Sequence, residues 1–234
     1  MTPQPILIVD DEPQLRAIAR KTLTVEGYAV VEAANGVEGV RAWEQHAPHL
    51  IILDILMPEM DGLQALDHIR QRGDTPVVML TRQTDEANRV RAFELGADDY
   101  LSKPFSNREL VLRVKAVLRR TQSSAPADSA AVLAGELRLD LALRRVQIGE
   151  RAVALSRTEF ALLTELARQP GRALSREQLL TAVWGKDYHE DMRLLHCAIY
   201  RLRQKLEADA DQPRYLQGAR EVGYWLTLSE EAQA

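Results

Sequence analysis

Ile6-Leu7-Ile8-Val9-Asp10-Asp11-Glu12 decides how the first half of this chain is read. A four-residue apolar run stops at a pair of carboxylates. The same pattern returns along the chain. Asp54 ends Leu50-Ile51-Ile52-Leu53, and Thr81 follows Val77-Val78-Met79-Leu80. Lys103, itself followed by Pro104, comes just after Tyr100-Leu101. Each polar group therefore stands at the carboxyl end of a short hydrophobic strand. In an open parallel α/β sheet those ends converge on one crevice. Three carboxylates, a hydroxyl and an ammonium gathered there make a small-cation and phosphoryl site.

The spacing predicts strands at 6–9, 28–32, 50–53, 77–80 and 99–101. Helical patterns fall between them at 14–26, 37–45, 62–71, 85–95 and 108–119. Alternating strands and helices indicate βαβ units and a parallel sheet. Residues 121–131 are small, polar and aperiodic, which reads as a flexible linker. Three parts are expected: a domain over 1–120, the linker over 121–131, and a second domain over 132–234.

In that second domain Leu137, Leu139 and Leu141 alternate, as do Val146 with Ile148 and Val153 with Leu155, giving short antiparallel strands. Ser156 with Glu159 has capping-box spacing, and Ser175 repeats the capping logic. A third helix covers about 193–206, and a strand pair ends in Gly223-Tyr224-Trp225-Leu226. The whole reads as a small sheet, three helices and a terminal hairpin.

Composition narrows the class. Of 234 residues, 46% are hydrophobic and 27% charged, which is globular. No apolar run approaches the roughly 20 residues that span a bilayer, so no membrane partner is expected. Met1–Pro5 has no basic stretch ahead of an apolar one, so no secretory signal is expected. One cysteine, Cys197, excludes an internal disulfide and fits a reducing cytoplasm. Residues 1–131 carry the whole net charge of −4, while residues 132–234 balance. Nucleic-acid binding must then come from a local basic face, not bulk charge.

Close carboxylates repel unless they share a cation. Mg²⁺ suits all-oxygen ligands. Asp11 and Asp54 are expected as direct ligands, with Asp10 acting directly or through water. Asp54 can attack a phosphoryl donor as a carboxylate nucleophile, giving an acyl phosphate. Mg²⁺ and Lys103 would stabilise the oxygens of the group in transfer, and Thr81 would donate to one of them afterwards. A cis peptide is expected at Lys103–Pro104.

The motifs Ile8-Val9-Asp10-Asp11-Glu12, Leu53-Asp54-Ile55-Leu56-Met57-Pro58, Met60-Asp61-Gly62 and Ala97-Asp98-Asp99-Tyr100-Leu101-Ser102-Lys103-Pro104-Phe105 resemble the bacterial response-regulator receiver domain. The resemblance implies a doubly wound five-stranded sheet of order 2-1-3-4-5 and a phosphate acceptor at Asp54. It implies Mg²⁺ or Mn²⁺ at Asp10, Asp11, Asp54 and the backbone carbonyl of Leu56. Thr81 and Tyr100 become switch residues, Lys103 the family's lysine, and a sensor histidine kinase the donor. A phosphatase using Asp54 is the enzyme alternative. It needs a second carboxylate two residues on, where Leu56 stands, so no turnover enzyme is expected. Arg82 follows the switch threonine where a small residue is usual. Pairing with the phosphoryl group or screening it from water would slow self-dephosphorylation.

The second half, through Leu155–Leu163, Leu174–Leu180, Val183-Trp184-Gly185, Ile199–Leu206 and Val222-Gly223-Tyr224, is similar to the winged-helix effector domain of the OmpR/PhoB subfamily. That implies a phosphorylation-dependent transcriptional regulator, with double-stranded promoter DNA and RNA polymerase as partners. In the third helix Leu195, Ile199, Leu202 and Leu206 form one apolar stripe. The opposite face offers Arg193, His196, Cys197, Tyr200 and Arg201 as base readers, with Arg203 on phosphate. Cys197 reads as a small apolar base contact, with a redox switch as the alternative. In the wing, Arg220 is the expected contact, while Glu221 and Trp225 depart from the usual pattern. Those departures keep a winged helix that does not bind DNA as a further alternative.

The subfamily resemblance also implies a symmetric dimer of phosphorylated receivers, held by charge pairs. The matching pairs are Arg89 with Glu109, Asp99 with Arg113, Asp98 with Lys115, and Glu94 with Arg120.

Overall fold

The structure, a computed structural model, describes residues 4–82, 86–122, 132–188, 191–220 and 222–227. The chain divides into two compact units, Met1–Arg119 and Arg120–Ala234. Among the described residues no helix is long and apolar enough to cross a membrane.

The first unit alternates β1 (Ile6–Val9), α1 (Pro13–Val25), β2 (Val30–Ala33), α2 (Gly36–His46), β3 (Leu50–Asp54), α3 (Gly62–Arg72), β4 (Val77–Arg82), α4 (Glu86–Glu94), β5 (Asp99–Lys103) and α5 (Asn107–Gln122). The strands pair in parallel in the order β2-β1-β3-β4-β5, as expected. Unbroken apolar runs suit strands covered on both faces. Ile6, Ile8, Leu50, Ile52, Val78, Leu80 and Leu101 pack on one side with Leu23, Leu110, Val114 and Val117 from α1 and α5. The alternate residues Leu7, Val9, Ile51, Leu53 and Met79 are buried as well. Each such side chain contributes about 1.5–3 kcal/mol on burial, so the strands are fixed with their polar ends in register.

β2 begins at Val30, two residues later than its apolar run. Gly27 turns the chain at φ 87°, and the Tyr28 N–H closes the end of α1 on Leu23 O at 3.0 Å. That amide is therefore not used in the ladder. At the other end α5 runs on through Thr121 and Gln122. Those two residues are helical, not linker; 123–131 lie outside the described residues.

The second unit contains a sheet of β6 (Val132–Ala134), β7 (Leu137–Asp140), β8 (Arg145–Ile148) and β9 (Arg151–Val153), all antiparallel. Helices α6 (Arg157–Ala167), α7 (Arg176–Val183) and α8 (Met192–Leu206) follow, then the hairpin β10 (Leu216–Ala219) and β11 (Gly223–Leu226). Ser156 and Ser175 both close capping boxes, with Glu159 and Gln178. Each box satisfies amides that the first helical turn leaves open.

Candidate functional site

The strand ends of the first unit assemble the crevice. Asp10, Asp54 and Thr81 are buried, Asp54 with 6% of its surface exposed. Lys103 Nζ donates to Asp54 Oδ2 at 2.8 Å and reaches Glu12 Oε1 at 3.3 Å. It also lies 2.8 Å from Asp10 Oδ2, an ion contact outside hydrogen-bond angles. One ammonium thus bridges the ends of β1, β3 and β5. The remaining oxygens accept locally: Asp10 Oδ1 from the Glu12 N–H and Asp54 Oδ1 from the Ile55 N–H, each at 2.9 Å. The Lys103–Pro104 peptide is cis.

Burial dominates the electrostatics. It pushes the Asp54 carboxyl up to about 6, against the attraction of Lys103 and with the help of the neighbouring Asp10 charge. Asp10 is raised for the same first reason, with Lys103 opposing. Burial also works against the Lys103 ammonium, but Asp10 and Asp54 more than offset it and hold its pKa above the ordinary value. The site is short of positive charge, as two buried carboxylates against one lysine must be.

A cavity of about 190 Å³ opens beside Asp54, lined by Asp11, Glu12, Leu56, Thr81, Arg82 and Lys103. Carboxylate oxygens of Asp10, Asp11 and Glu12 lie within 4.8 Å of one another. An all-oxygen set, with Asp10 buried and Asp11 and Glu12 exposed, fits Mg²⁺. Glu12 belongs to this cluster and was not among the expected ligands. The third acidic residue of Asp10-Asp11-Glu12 was the available signal. Thr81 Oγ1 donates to Arg82 O at 3.2 Å, and the exposed Arg82 stands level with Lys103 in the strand pairing.

Gly62 explains how the loop after Asp54 fits. Its N–H donates to Ile55 O at 2.8 Å, and a Cβ there would lie 1.9 Å from Asp54 O. Only a residue without a side chain lets α3 start so close to the acceptor's own backbone.

Several of the expected dimer residues have partners within the chain. Asp98, 2% exposed, accepts from Arg70 Nη2 at 2.8 Å and from the Val77 N–H at 2.9 Å. Lys115 is 2.6 Å from Glu26. The pair Asp98–Lys115 is therefore corrected: Asp98 faces inward as a staple between α3 and the start of β4. Arg113 is 3.7 Å from Asp99 in the same chain, and Arg91 3.5 Å from Glu94. Arg89 lies over the Tyr100 ring. Glu109 is half-buried at the start of α5. The Arg120 side chain lies outside the described residues.

In α8 the expected stripe Leu195, Ile199, Leu202 and Leu206 is buried. Arg193, His196, Gln204 and Tyr200 (52% exposed) face outward, and Cys197 is half-buried. Arg201 does not join them. It is 7% exposed, with Nε 3.4 Å from Glu159 Oε1. Arg201 follows Leu194 by seven residues, two helical turns, and so shares its buried face. Base reading by Arg201 is withdrawn. Arg203 Nε donates to Leu216 O at 3.1 Å, which ties its guanidinium to the hairpin instead of leaving it wholly for phosphate. Burial, then the nearby Arg176, lowers the His196 pKa. Arg220 is exposed at the hairpin turn and Trp225 half-buried in β11; Glu221 lies outside the described residues.

Two acidic residues do more than the sequence reading gave them, Glu159 having been expected only as the capping partner of Ser156. Glu159 caps α6, and it also holds Lys205 at 2.7 Å beside Arg201. Glu207 accepts from the N–H groups of Arg214, Tyr215 and Leu216 at 2.7, 3.0 and 2.8 Å. No local motif announces a carboxylate that serves amides seven to nine residues on.

Residues 6–115 match the family model described as the response regulator receiver domain. Residues 149–226 match that of the C-terminal domain of transcriptional regulatory proteins. The chain is 40% identical over 222 residues to response regulator MprA of Mycobacterium avium (strain 104), covering 94% of this chain and 97% of that protein. It is 40% identical over 229 residues to the probable transcriptional regulator ycf27 of Guillardia theta, covering 95% and 90%. Among solved structures, response regulator DrrB, a Thermotoga maritima OmpR/PhoB homolog, matches with a TM-score of 0.52 at 29% identity over 97% of this chain and 100% of that one. The C128D mutant of RitR matches with a TM-score of 0.78 at 26% identity, with the same coverage.

Proposed function

Because this chain belongs to the two-component response regulators of the OmpR/PhoB type, a receiver domain with a DNA-binding transcriptional regulatory domain, we infer that Asp54 stores one phosphoryl group that controls the DNA reader. The family is of transcription-factor type, not a turnover enzyme, and implies a cognate histidine kinase and promoter DNA. The observation that carries the reading is the bridge from Lys103 to Asp54 and Asp10 beside an open cavity.

The ionised Asp54 carboxylate attacks the phosphorus of a kinase phosphohistidine or a small acyl phosphate. The P–N or P–O bond of the donor breaks and an acyl phosphate forms on Asp54. Asp10, Asp11, Asp54 and the Leu56 carbonyl would hold Mg²⁺, with Glu12 beside them. Bound Mg²⁺ supplies charge that the transferring oxygens need. Lys103 is already in place to accompany those oxygens, and Thr81 can turn its hydroxyl from Arg82 O to one of them. Arg82 at the rim screens the acyl phosphate from water, so self-dephosphorylation is slow.

Downstream, Tyr100 turns inward, phosphorylated receivers pair, and two tethered readers gain avidity for direct repeats. Helix α8 enters the major groove with Arg193, His196, Cys197 and Tyr200 toward base edges, and Arg220 approaches the backbone. Bound in this way in the cytoplasm, the protein would act on RNA polymerase at its promoters.

The test is incubation with acetyl phosphate and Mg²⁺, followed by intact-mass measurement and gel shift on genomic fragments. One phosphoryl adduct, lost in Asp54→Ala, and tighter DNA binding only when it is present are expected. An adduct that survives Asp54→Ala, or DNA binding indifferent to it, would overturn the reading.

A further inference from the structure

Helix α1 begins without a side-chain cap. Its N-cap position is Glu12, whose side chain makes no capping hydrogen bond, and a proline opens the first turn. The Glu12 carboxylate is turned instead to Lys103, 3.3 Å away. The turn from β1 into α1 is held by Arg16, from both of its ends. Its backbone N–H donates to Glu12 O at 3.1 Å, and its Nη1 reaches back to donate to Asp10 O at 2.6 Å. Asp10 follows the last paired residue of β1, so that carbonyl lies past the sheet ladder. The Asp10 N–H is tied to Ala33 O at 3.2 Å, and Asp10 Oδ1 takes the Glu12 N–H. Arg16 is half-buried and has no carboxylate within ion-pair distance among the described residues. Its guanidinium is committed to a neutral backbone oxygen, although three acidic side chains stand at positions 10 to 12.

That choice has a mechanical meaning. Asp10, Asp11 and Glu12 bring carboxylate oxygens within 4.8 Å of one another. Like charges so close push the turn open when no cation is shared. A turn that has opened must close again before it can take up an ion, and that reorganisation weakens binding. We propose that Arg16 is a positioning residue of the cation site, its bond to the Asp10 carbonyl keeping the three carboxylates converged before Mg²⁺ arrives. This rests on the cation reading given above and adds to it the residue that prepares the site. A guanidinium only donates and so offers the ion no ligand atom. Its charge alone would repel a cation, so geometry and electrostatics predict opposite signs for its removal.

Calorimetric titration of the full, unphosphorylated chain with magnesium chloride decides between them. Arg16→Met keeps most of the stem and loses both the donor and the charge. It should bind Mg²⁺ about tenfold more weakly, the lower end of what losing a partner behind a metal ligand costs. Arg16→Lys keeps a donor and the charge and should fall between wild type and Arg16→Met. Urea midpoints with and without Mg²⁺ give the same affinity from the ion's stabilisation of the fold, whatever each variant does to stability in chelator. A purely structural role would lower the midpoint in chelator and leave the Mg²⁺ affinity unmoved. Unmoved or tighter binding in Arg16→Met overturns the proposal. Wild type that takes a phosphoryl group on Asp54 yet binds no Mg²⁺ removes the cation reading and the proposal with it. Wild type that binds Mg²⁺ but takes no phosphoryl group refutes the phosphoryl store alone, and Arg16 is still judged by the titration.

Discussion

Glu159→Gln deletes one charge from the second unit and leaves the side chain's shape. Glu159 is 1% exposed and faces two cations, Arg201 Nε at 3.4 Å and Lys205 Nζ at 2.7 Å. Lys205 is partly exposed and can turn to solvent, so losing that pair costs about 1 kcal/mol or less. Arg201 cannot. Its Nε and Nη1 are buried without a hydrogen-bond partner, and removing the carboxylate strands a cation in the core at a cost of roughly 3–5 kcal/mol. The glutamine still reaches the Ser156 N–H, so most of the cap survives. A domain of this size is stable by about 5–15 kcal/mol, which makes the loss a large fraction of the total. At about 4–8 °C per kcal/mol, calorimetry of the full chain should show one transition lowered by more than roughly 12 °C and the other unmoved. The pH dependence has a definite sign. Burial alone would raise the Glu159 pKa, but Arg201 and then Lys205 pull it below the ordinary 4.5. Its contribution is present above 4.5 and is lost as pH falls through the lowered value. The gap between wild type and variant should therefore be constant from pH 6 to 8 and close in acid. A loss below about 1 kcal/mol, or a gap that does not close in acid, would refute the buried-triad account.

The acceptor carries the opposite sign. With the Asp54 pKa raised from 3.8 to about 6, its contribution to receiver stability should fall by about 3 kcal/mol as pH rises through that window in chelator, and Asp54→Asn should show a smaller slope under urea unfolding, only that of the raised Asp10 remaining. Gly62→Ala should destabilise the receiver by about 1–3 kcal/mol and cut phosphoryl uptake, since the new methyl meets the Asp54 backbone; normal uptake by mass measurement would contradict the close fit. Arg70→Met should cost about 3–5 kcal/mol by removing the cation that pairs with the buried Asp98, a loss that denaturant titration can size. Arg82→Ala should shorten the acyl-phosphate lifetime about threefold to tenfold, one screened charge contact's worth, and an unchanged decay would remove Arg82 from the store.

What the sequence made legible, and what it hid, follows from range. Asp10, Asp54, Thr81 and Lys103 were visible because strand-end placement is a local property: an apolar run stops and a polar residue follows. The α8 stripe was visible because its period is helical. Arg201 was misread because a basic residue near an exposed stripe looks exposed, and its true surroundings depend on Glu159, 42 positions earlier and on another helix. Asp98 misled for the same reason. Its partner Arg70 lies on α3, and nothing in Ala97-Asp98-Asp99 tells an inward carboxylate from an outward one.

Glu207 binds three successive amides, Arg214 to Leu216, at the entry to β10, and Arg203 holds Leu216 O at the first residue of that strand. The C-terminal turn of α8 and the base of the hairpin are thus clamped into one body, like the fixed jaws of a calliper. With α8 in the groove and the hairpin on the backbone, as proposed, the distance the reader would span is a constant of the domain. It would be the DNA that adjusts to that gauge, and stretches too stiff to do so would be rejected at positions that no side chain touches.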